Sequence, residues 1–561
     1  MTYFKLPITY TDKCHNVDNN IIKDLELTNS DSAAFNKVFN TSSKASSKII
    51  NLWAKHYTTN TKYLEDTQVL LTKNIPQMKT IDSYELELLE KLQTIKSNDA
   101  DFLEKYNFIE WKYLQHLNNN SSCMQWLSLY NIVSPALTIL MPIVFLILPF
   151  LILRVQGQNI SVNNYVNLLK LMFKKHQFGK LMNISSASFN QQIYILISLC
   201  FYGIQIYNNI SCCVKFIKNI KYIHKDLFLI RKHIDETIVA INEFDLNCAD
   251  IESYADFICD LRKQLILLEQ FKTDLDNITP NKVSFAKAIN IGHTMKCYYM
   301  LHNNDSFKNA IQYSYDFWGY IDVMNGIKKN INNNYLGKCS FAKKTKFTKA
   351  FFPITHNEPV KNTYNLNKHL LITGPNAAGK TTLLKTTLFN VLISQQLGYG
   401  CYEKATIFPY DKIHCYINIP DSSNRDSLFQ AEARRCKNIL DSIQSSKERH
   451  FCVFDELYSG TNPYEAIGSA VSFLNYLNKN KDVTFIITTH YLDICEKLKN
   501  NKSMRNCNMK IKPTDNGKFV YTYLLQEGIS NIKGGIKVLR ELDYPSEIIS
   551  NTNKLIKDLN M

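Results

Sequence analysis

The sequence predicts a two-part molecule: a C-terminal α/β domain on a parallel sheet, preceded by an all-α region that carries an inserted apolar helical hairpin. Three stretches carry that expectation. His369 to Leu384 reads as a short apolar strand, a glycine-bounded turn and then a helix. Val133 to Leu153 runs for twenty-one residues without a charge. From Ile220 to Ile241, through Ile223, Leu227, Ile230, Ile234 and Ile238, apolar residues recur at spacings of three and four, the seam of a long amphipathic helix.

A chain of 561 residues should hold several domains, and 45% hydrophobic with 20% charged residues is a globular composition with ample material for a core. A net charge of +15 suits an anionic partner, either nucleic acid or a membrane surface. Met1 to Cys14 lacks a basic segment followed by an apolar run, so no secretory signal is expected. Fifteen cysteines without such a signal read as reduced intracellular thiols. They contain no Cys-x-x-Cys pair, and Cys212-Cys213 is no zinc spacing, so no zinc cage is predicted.

Residues 1–125 read as a helical region, with apolar positions three and four apart in Tyr84 to Leu92 and Phe102 to Leu117. Trp53, Trp111 and Trp126 are expected to be core or interface anchors. Residues 126–215 form the hydrophobic hairpin, with membrane segments at 133–153 and 193–214. About 20 apolar residues let a helix cross a bilayer, and prolines such as Pro142 and Pro149 are tolerated there. A buried hairpin inside a soluble protein would spell the same run.

Arg154, Lys170, Lys174, Lys175 and Lys180 lie between the two segments, and Lys215, Lys218, Lys221 and Lys225 follow the second. Two spans would put the first cluster across the membrane from the second, against the positive-inside rule. A re-entrant hairpin, with Val166 to Phe178 on a headgroup surface, removes that conflict. Residues 216–335 are read as helical levers, the second marked by Tyr254, Phe257, Leu261, Leu265 and Leu268. Lys343, Lys344 and Lys346 lead into the final domain, 336–561, as a basic patch that suits phosphate, lipid or plain solvent.

That domain carries Gly374-Pro375-Asn376-Ala377-Ala378-Gly379-Lys380-Thr381-Thr382. The glycines let the backbone curl so that its N–H groups face phosphate oxygens at the positive end of the following helix. Lys380 supplies a point charge for the β- and γ-phosphates of ATP, and Thr381 a hydroxyl for Mg²⁺. Phe451 to Phe454 is a buried-strand run ending in Asp455-Glu456. Beside the phosphate loop, Asp455 would hold Mg²⁺ and Glu456 would polarise the attacking water. Val483 to Ile487 leads into Thr488-Thr489-His490, which places His490 as a γ-phosphate sensor. Ser427 with Gln430 spells a capping box, whose helix N-terminus suits an anion.

At these residues the sequence resembles the MutS family of DNA mismatch-repair ATPases. The Thr373-Gly374-Pro375-Asn376 opening, Asp455-Glu456 with Gly460-Thr461, and Thr489-His490-Tyr491 carry the likeness. So does Asp421 to Ala433, with Ser427, Phe429 and Glu432, and so does the tail, with Tyr523-Leu524, Gly528, Gly535-Ile536, Leu539 and Pro545. The resemblance implies an α/β P-loop ATPase of MutS/ABC-like type that pairs as a homodimer through its ATPase domains and a C-terminal dimerisation helix. It implies that Ser427 reaches the partner's nucleotide and that Asn362 sits on the adenine side. No Leu-Ser-Gly-Gly signature precedes Asp455, which argues against a transporter cassette.

Departures narrow the inference. Tyr458-Ser459 stand where the family has Gly-Arg. Only 373 residues precede Gly374, many of them membrane-seeking, which leaves no evident room for mismatch-reading and connector domains. Phe102-Leu103-Glu104 has the spelling of the mismatch wedge, Phe-x-Glu, without the domain around it. The expected function is therefore an intracellular, ATP-dependent dimeric clamp on duplex or branched DNA, associated with a membrane, with its ATPase domain on the side that holds ATP. The alternative is a membrane-anchored mechanical ATPase acting on lipid or a protein partner.

Overall fold

The computed structural model describes residues 4–28, 33–77, 84–96, 101–157, 161–175, 189–278, 290–354, 358–417, 427–513, 519–530 and 544–558. The chain divides into two compact units. One comprises Met1–Asp82, Val239–Lys263 and Tyr313–Met561, the other Ser83–Ile238 and Gln264–Gln312.

In the first unit, β1 (Cys14–Asn16) and β2 (His56–Thr58) form an antiparallel pair. Then come β3 (Gly337–Phe341), β4 (Lys346–Ala350), β5 (Asn362–Asn365) and β6 (His369–Thr373). They are followed by β7 (Tyr399–Gly400), β8 (Lys404–Ile407), β9 (Lys412–Tyr416) and β10 (His450–Asp455). The last strands are β11 (Val483–Thr489), β12 (Met504–Pro513) and β13 (Phe519–Glu527). Six of them make one sheet in the order β13-β12-β6-β11-β10-β9, and five make a second in the order β5-β4-β8-β3-β7.

The expectation of a parallel sheet needs correction. From β9 to β12 every pairing is parallel, but β13 returns antiparallel along the edge, and the second sheet is mixed. The parallel strands were legible because strands covered on both faces read as unbroken apolar runs, and every residue of β6 is buried. The second sheet has short strands with interrupted burial, such as β3 and β4, and little in its spelling marks a strand.

The Lys380–Leu397 helix after β6 is buried along most of its length, including Asn390, Gln395 and Gln396. Buried amides need partners, and here they are backbone carbonyls. Gln395 donates to Thr58 and Tyr410, and Gln396 to Trp53 and His56, at 2.7–3.2 Å. The described residues of 4–77 therefore pack as one body with the C-terminal sheet, and Trp53 is 1% exposed in that core.

The second unit is helical. Phe189–Cys248 is a single helix of 60 residues, so the apolar segment and the first lever, read separately from sequence, are one continuous rod. Its seam is as expected within this unit, with Ile223, Leu227, Ile230 and Ile234 all buried. The Ile291–Asn303 helix packs against the start of Ser121–Val155, where Gly292 is required. A Cβ there would stand 2.3 Å from the Gln125 nitrogen and the Ser121 carbonyl. Phe102 is buried, with its ring 4.2 Å from that of His302 and 5.3 Å from that of Phe108, as a core residue rather than a wedge. Of the three tryptophans expected to be core or interface anchors, Trp111 and Trp126 are outside the core, at 63% and 75% exposed. Val162–Lys175 forms a helix, and among the described residues Gln192–Cys248 is the one helix long and apolar enough to cross a membrane.

Candidate nucleotide site

The parallel register brings the site together. Asp455 at the end of β10 stands opposite Thr488 of β11, and Thr489 stands opposite Thr373 of β6, so three strand ends finish level with one another. Residues at the C-terminal ends of parallel strands face the crevice in which such sheets bind ligands. The loop from Gly374 to Gly379 leaves β6 there and turns into the N-terminus of the Lys380–Leu397 helix. Gly379 adopts φ 92°, in the left-handed region that costs glycine nothing. A Cβ at that position would also come within 3.0 Å of the Tyr523 ring. Ala377 takes the left-handed conformation as well, at φ 62°.

Lys380 is 5% exposed. Its ammonium donates to the Gly374 carbonyl at 2.8 Å and lies 3.4 Å from Glu456 Oε1. The Thr381 hydroxyl donates to Asp455 Oδ2 at 2.8 Å, and the Thr488 hydroxyl donates to the other carboxylate oxygen. Glu456, at φ 51°, follows Asp455 directly, and its backbone N–H donates to the Thr488 carbonyl at 3.1 Å. His490 Nδ1 stands 3.3 Å from Glu456 Oε2. The bond from His490 and the nearby Lys380 ammonium hold the Glu456 carboxyl below the usual carboxylate range, against burial, which pushes it up. Lys380, Thr381, Asp455, Glu456 and His490 thus form one connected set.

Ser427 is exposed at the N-cap of the Leu428–Ser445 helix, with both halves of the capping box made. Residues 421–426 lie outside the described residues, as do Gly535, Ile536 and Leu539. Asn362 is placed differently from the other sequence candidates. Its amide donates to the Tyr523 carbonyl at 2.9 Å and accepts from the Leu525 N–H at 2.8 Å, stitching β5 to β13. It still lines a cavity of about 300 Å³ beside Gly379 and Thr382, walled also by Phe352, Val360, Met509 and Tyr523.

Residues 370–560 match the family model for MutS domain V. Over 193 residues the chain is 32% identical to the DNA mismatch repair protein MutS of Bacteroides fragilis and to that of Bacteroides thetaiotaomicron. Over 199 residues it is 29% identical to the MutS of Desulfatibacillum aliphaticivorans. The C-terminal region of the chain is thus similar to the MutS family. The likeness is partial: the matched stretch is 34–35% of this chain and 22% of each of those relatives. It covers the whole connected set from Lys380 to His490, and it leaves the second unit unmatched.

Two residues of this site were named in the sequence without their contacts being read from it. Thr488, read only as part of a Thr-Thr-His string, orients Asp455. Glu432, 2% exposed, accepts from the Ser459 N–H and hydroxyl and from the Gly460 N–H at 2.9–3.2 Å. It ties the loop after Glu456 to the helix that begins at Ser427. Tyr458, at φ 58° where the family has glycine, is braced by its N–H donating to the Tyr416 hydroxyl and by its ring 5.8 Å from that of Phe429. Ser459, where the family has arginine, spends its hydroxyl on Glu432.

Proposed function

We propose that the protein hydrolyses ATP and works as a dimeric clamp of MutS type on duplex or branched DNA. The observation that carries this reading is the connected set of Lys380, Thr381, Asp455, Glu456 and His490 at three aligned strand ends. The Thr381 hydroxyl and Asp455 carboxylate are hard oxygen donors 2.8 Å apart, a set that fits Mg²⁺. When bound, Mg²⁺ neutralises charge on the phosphate oxygens. Lys380 and the backbone N–H groups of Asn376 to Thr382 bind the phosphates, with the base in the cavity beside Asn362 and Tyr523. Glu456, kept ionised by His490, takes a proton from the attacking water. His490 senses the γ-phosphate through the same contact. Ser427, exposed at its cap, meets the nucleotide of the partner subunit.

The mismatch-repair names of the relatives and the net charge of +15 support DNA as the partner. A second reading has its own support. The exposed apolar helices of the second unit favour an engine held at a membrane and working on lipid or a protein partner. Steady-state ATPase of the detergent-solubilised full chain separates the two, measured with homoduplex, mismatched and branched DNA and then with anionic liposomes. Stimulation by any DNA supports the clamp. Stimulation by lipid alone overturns it in favour of the membrane engine.

A further inference from the structure

We infer that the apolar parts of Ser121–Val155 and Phe189–Cys248 form an antiparallel hairpin inserted in the hydrocarbon of an anionic lipid bilayer, held together by an internal polar seam. The inference rests on the membrane-bound form of the function above and gives it a specific element and partner. The two helices are joined by side-chain bonds that run antiparallel. Tyr202 donates its hydroxyl to the Thr138 carbonyl at 3.1 Å, Asn209 its amide to the Thr138 hydroxyl at 2.6 Å, and Cys213 its thiol to the Ile132 carbonyl at 3.4 Å. Polar groups that pair across the seam leave the outer surface to apolar side chains, as hydrocarbon requires.

Among the described residues of its own unit, the outer surface has no covering partner. Ile139, Leu140 and Met141 are consecutive and 52%, 50% and 43% exposed. Successive helical residues are about 100° apart, so three in a row place apolar surface around more than half the circumference. A helix lying on a protein core would expose one stripe. On the partner helix the most apolar stretch of Gln192–Cys248 contains no buried residue. The twenty-one uncharged residues from Val133 to Leu153 rise about 31 Å, against a hydrocarbon thickness of about 30 Å.

The change from lipid to water is also marked. On one helix Met124 and Ser128 are buried and the exposed apolar surface begins just beyond them; on the other the first buried side chain among the described residues is Phe216. At that level stand exposed Trp126 and Tyr130, with exposed Lys215, Lys218 and Tyr222 across the pair. Aromatic rings and lysines at one level suit a headgroup boundary, and the lysines favour anionic headgroups. Between Gln192 and Val214 of the second helix, the exposed amides among the described side chains, Gln205 and Asn208, lie towards this basic end rather than at the level of Cys200.

Cys200, exposed in the apolar part, and Cys259, exposed in the other unit, give a test without mutation. The full chain is reconstituted into vesicles of phosphatidylcholine with phosphatidylglycerol, and peptide mapping follows labelling by a water-soluble maleimide. Insertion predicts that Cys200 reacts about tenfold or more slowly than Cys259 and that the protein resists alkaline carbonate. Equal labelling overturns the inference. So does a discrete oligomer formed without lipid or detergent in which Cys200 is already protected, because a second copy then covers the surface. The double variant Leu148→Arg, Phe201→Arg should become carbonate-extractable. ATPase turnover in detergent is measured on the same preparation. Its loss would fail the nucleotide-site assignment while leaving the labelling result to decide insertion alone.

Discussion

At the scale of single residues, the site makes its charges interdependent. Lys380 faces both the phosphate loop and Glu456, so Lys380→Ala should abolish tight binding of a fluorescent ATP analogue; unchanged affinity would mean the loop does not bind phosphate. His490 is the largest influence holding Glu456 low. His490→Ala should therefore lower kcat by about 10²–10⁴, the range of a positioned acid–base contribution. It should also move the acid limb of the kcat profile upward. A reduced rate with the limb unmoved would separate His490 from Glu456. His369, at the start of β6, has its Nδ1 accepting from the Phe485 N–H and its ring stacked 3.9 Å from that of Phe485. Burial pulls its pKa down to about 4, against the bond to Asn478, which raises it. Between pH ~6.5 and ~4 the unfolded chain takes up a proton there that the folded chain does not, so stability falls as pH falls. Over that window the loss from this group approaches about 3 kcal/mol. Urea midpoints at several pH values should show it, and His369→Asn, which can still accept from Phe485, should flatten the slope. An unchanged slope would place the titration elsewhere.

At the scale of elements, the Leu428–Ser445 helix and the loop after β10 behave as one piece. Gly460 has no room for a Cβ, which would stand 2.8 Å from Leu428 Cγ and 2.9 Å from the Phe429 nitrogen, and Glu432 binds both the N–H and hydroxyl of Ser459. Glu432→Ala would remove the acceptor shared by the Ser459 N–H, the Ser459 hydroxyl and the Gly460 N–H, at about 0.5–1.5 kcal/mol for each hydrogen bond lost. It should lower the thermal midpoint and slow hydrolysis more than it weakens ATP binding. A variant that folds less stably but turns over normally would make the tie purely structural. The sequence spelled the chemistry of this region better than its architecture. Gly374 to Thr381, Asp455, Glu456 and His490 sit at fixed offsets from apolar strands, and local spacing is enough to place them. Thr488 and Glu432 act across distances of 33 and 27 residues, which no local pattern encodes. The second sheet stayed hidden for a related reason, since β3 reaches β7 and β8 only through pairings some 60 residues apart in the chain. The continuity of Phe189–Cys248 was missed because its apolar periodicity changes midway, from exposed all round to one buried seam, while the backbone does not.

At the scale of the whole molecule, the decisive question is whether two chains complete one another's sites. In the proposed head-to-tail dimer each site would be built from Lys380 of one chain and Ser427 of the other. Glu456→Ala should then bind ATP and accumulate as a closed dimer visible by light scattering, because water activation is lost while the phosphate contacts remain. A sharper consequence comes from mixing two inactive variants. Lys380→Ala and Ser427→Ala chains, each inactive alone, can meet in a dimer that holds one site with both residues intact and one with neither. If exchange is random, half the dimers are mixed, and turnover should recover to about a quarter of the wild-type rate per chain. Recovery should rise with protein concentration and vanish when Ser427→Ala is mixed with itself. Ser427 also caps its helix, accepting from the Gln430 N–H, so its loss could act by fraying that turn in its own chain. A fraying defect stays with the chain that carries it and cannot be rescued by a partner that has Ser427. Complementation therefore distinguishes contact across the dimer from local capping, and its absence at concentrations where the dimer forms would place Ser427 in its own chain's fold alone.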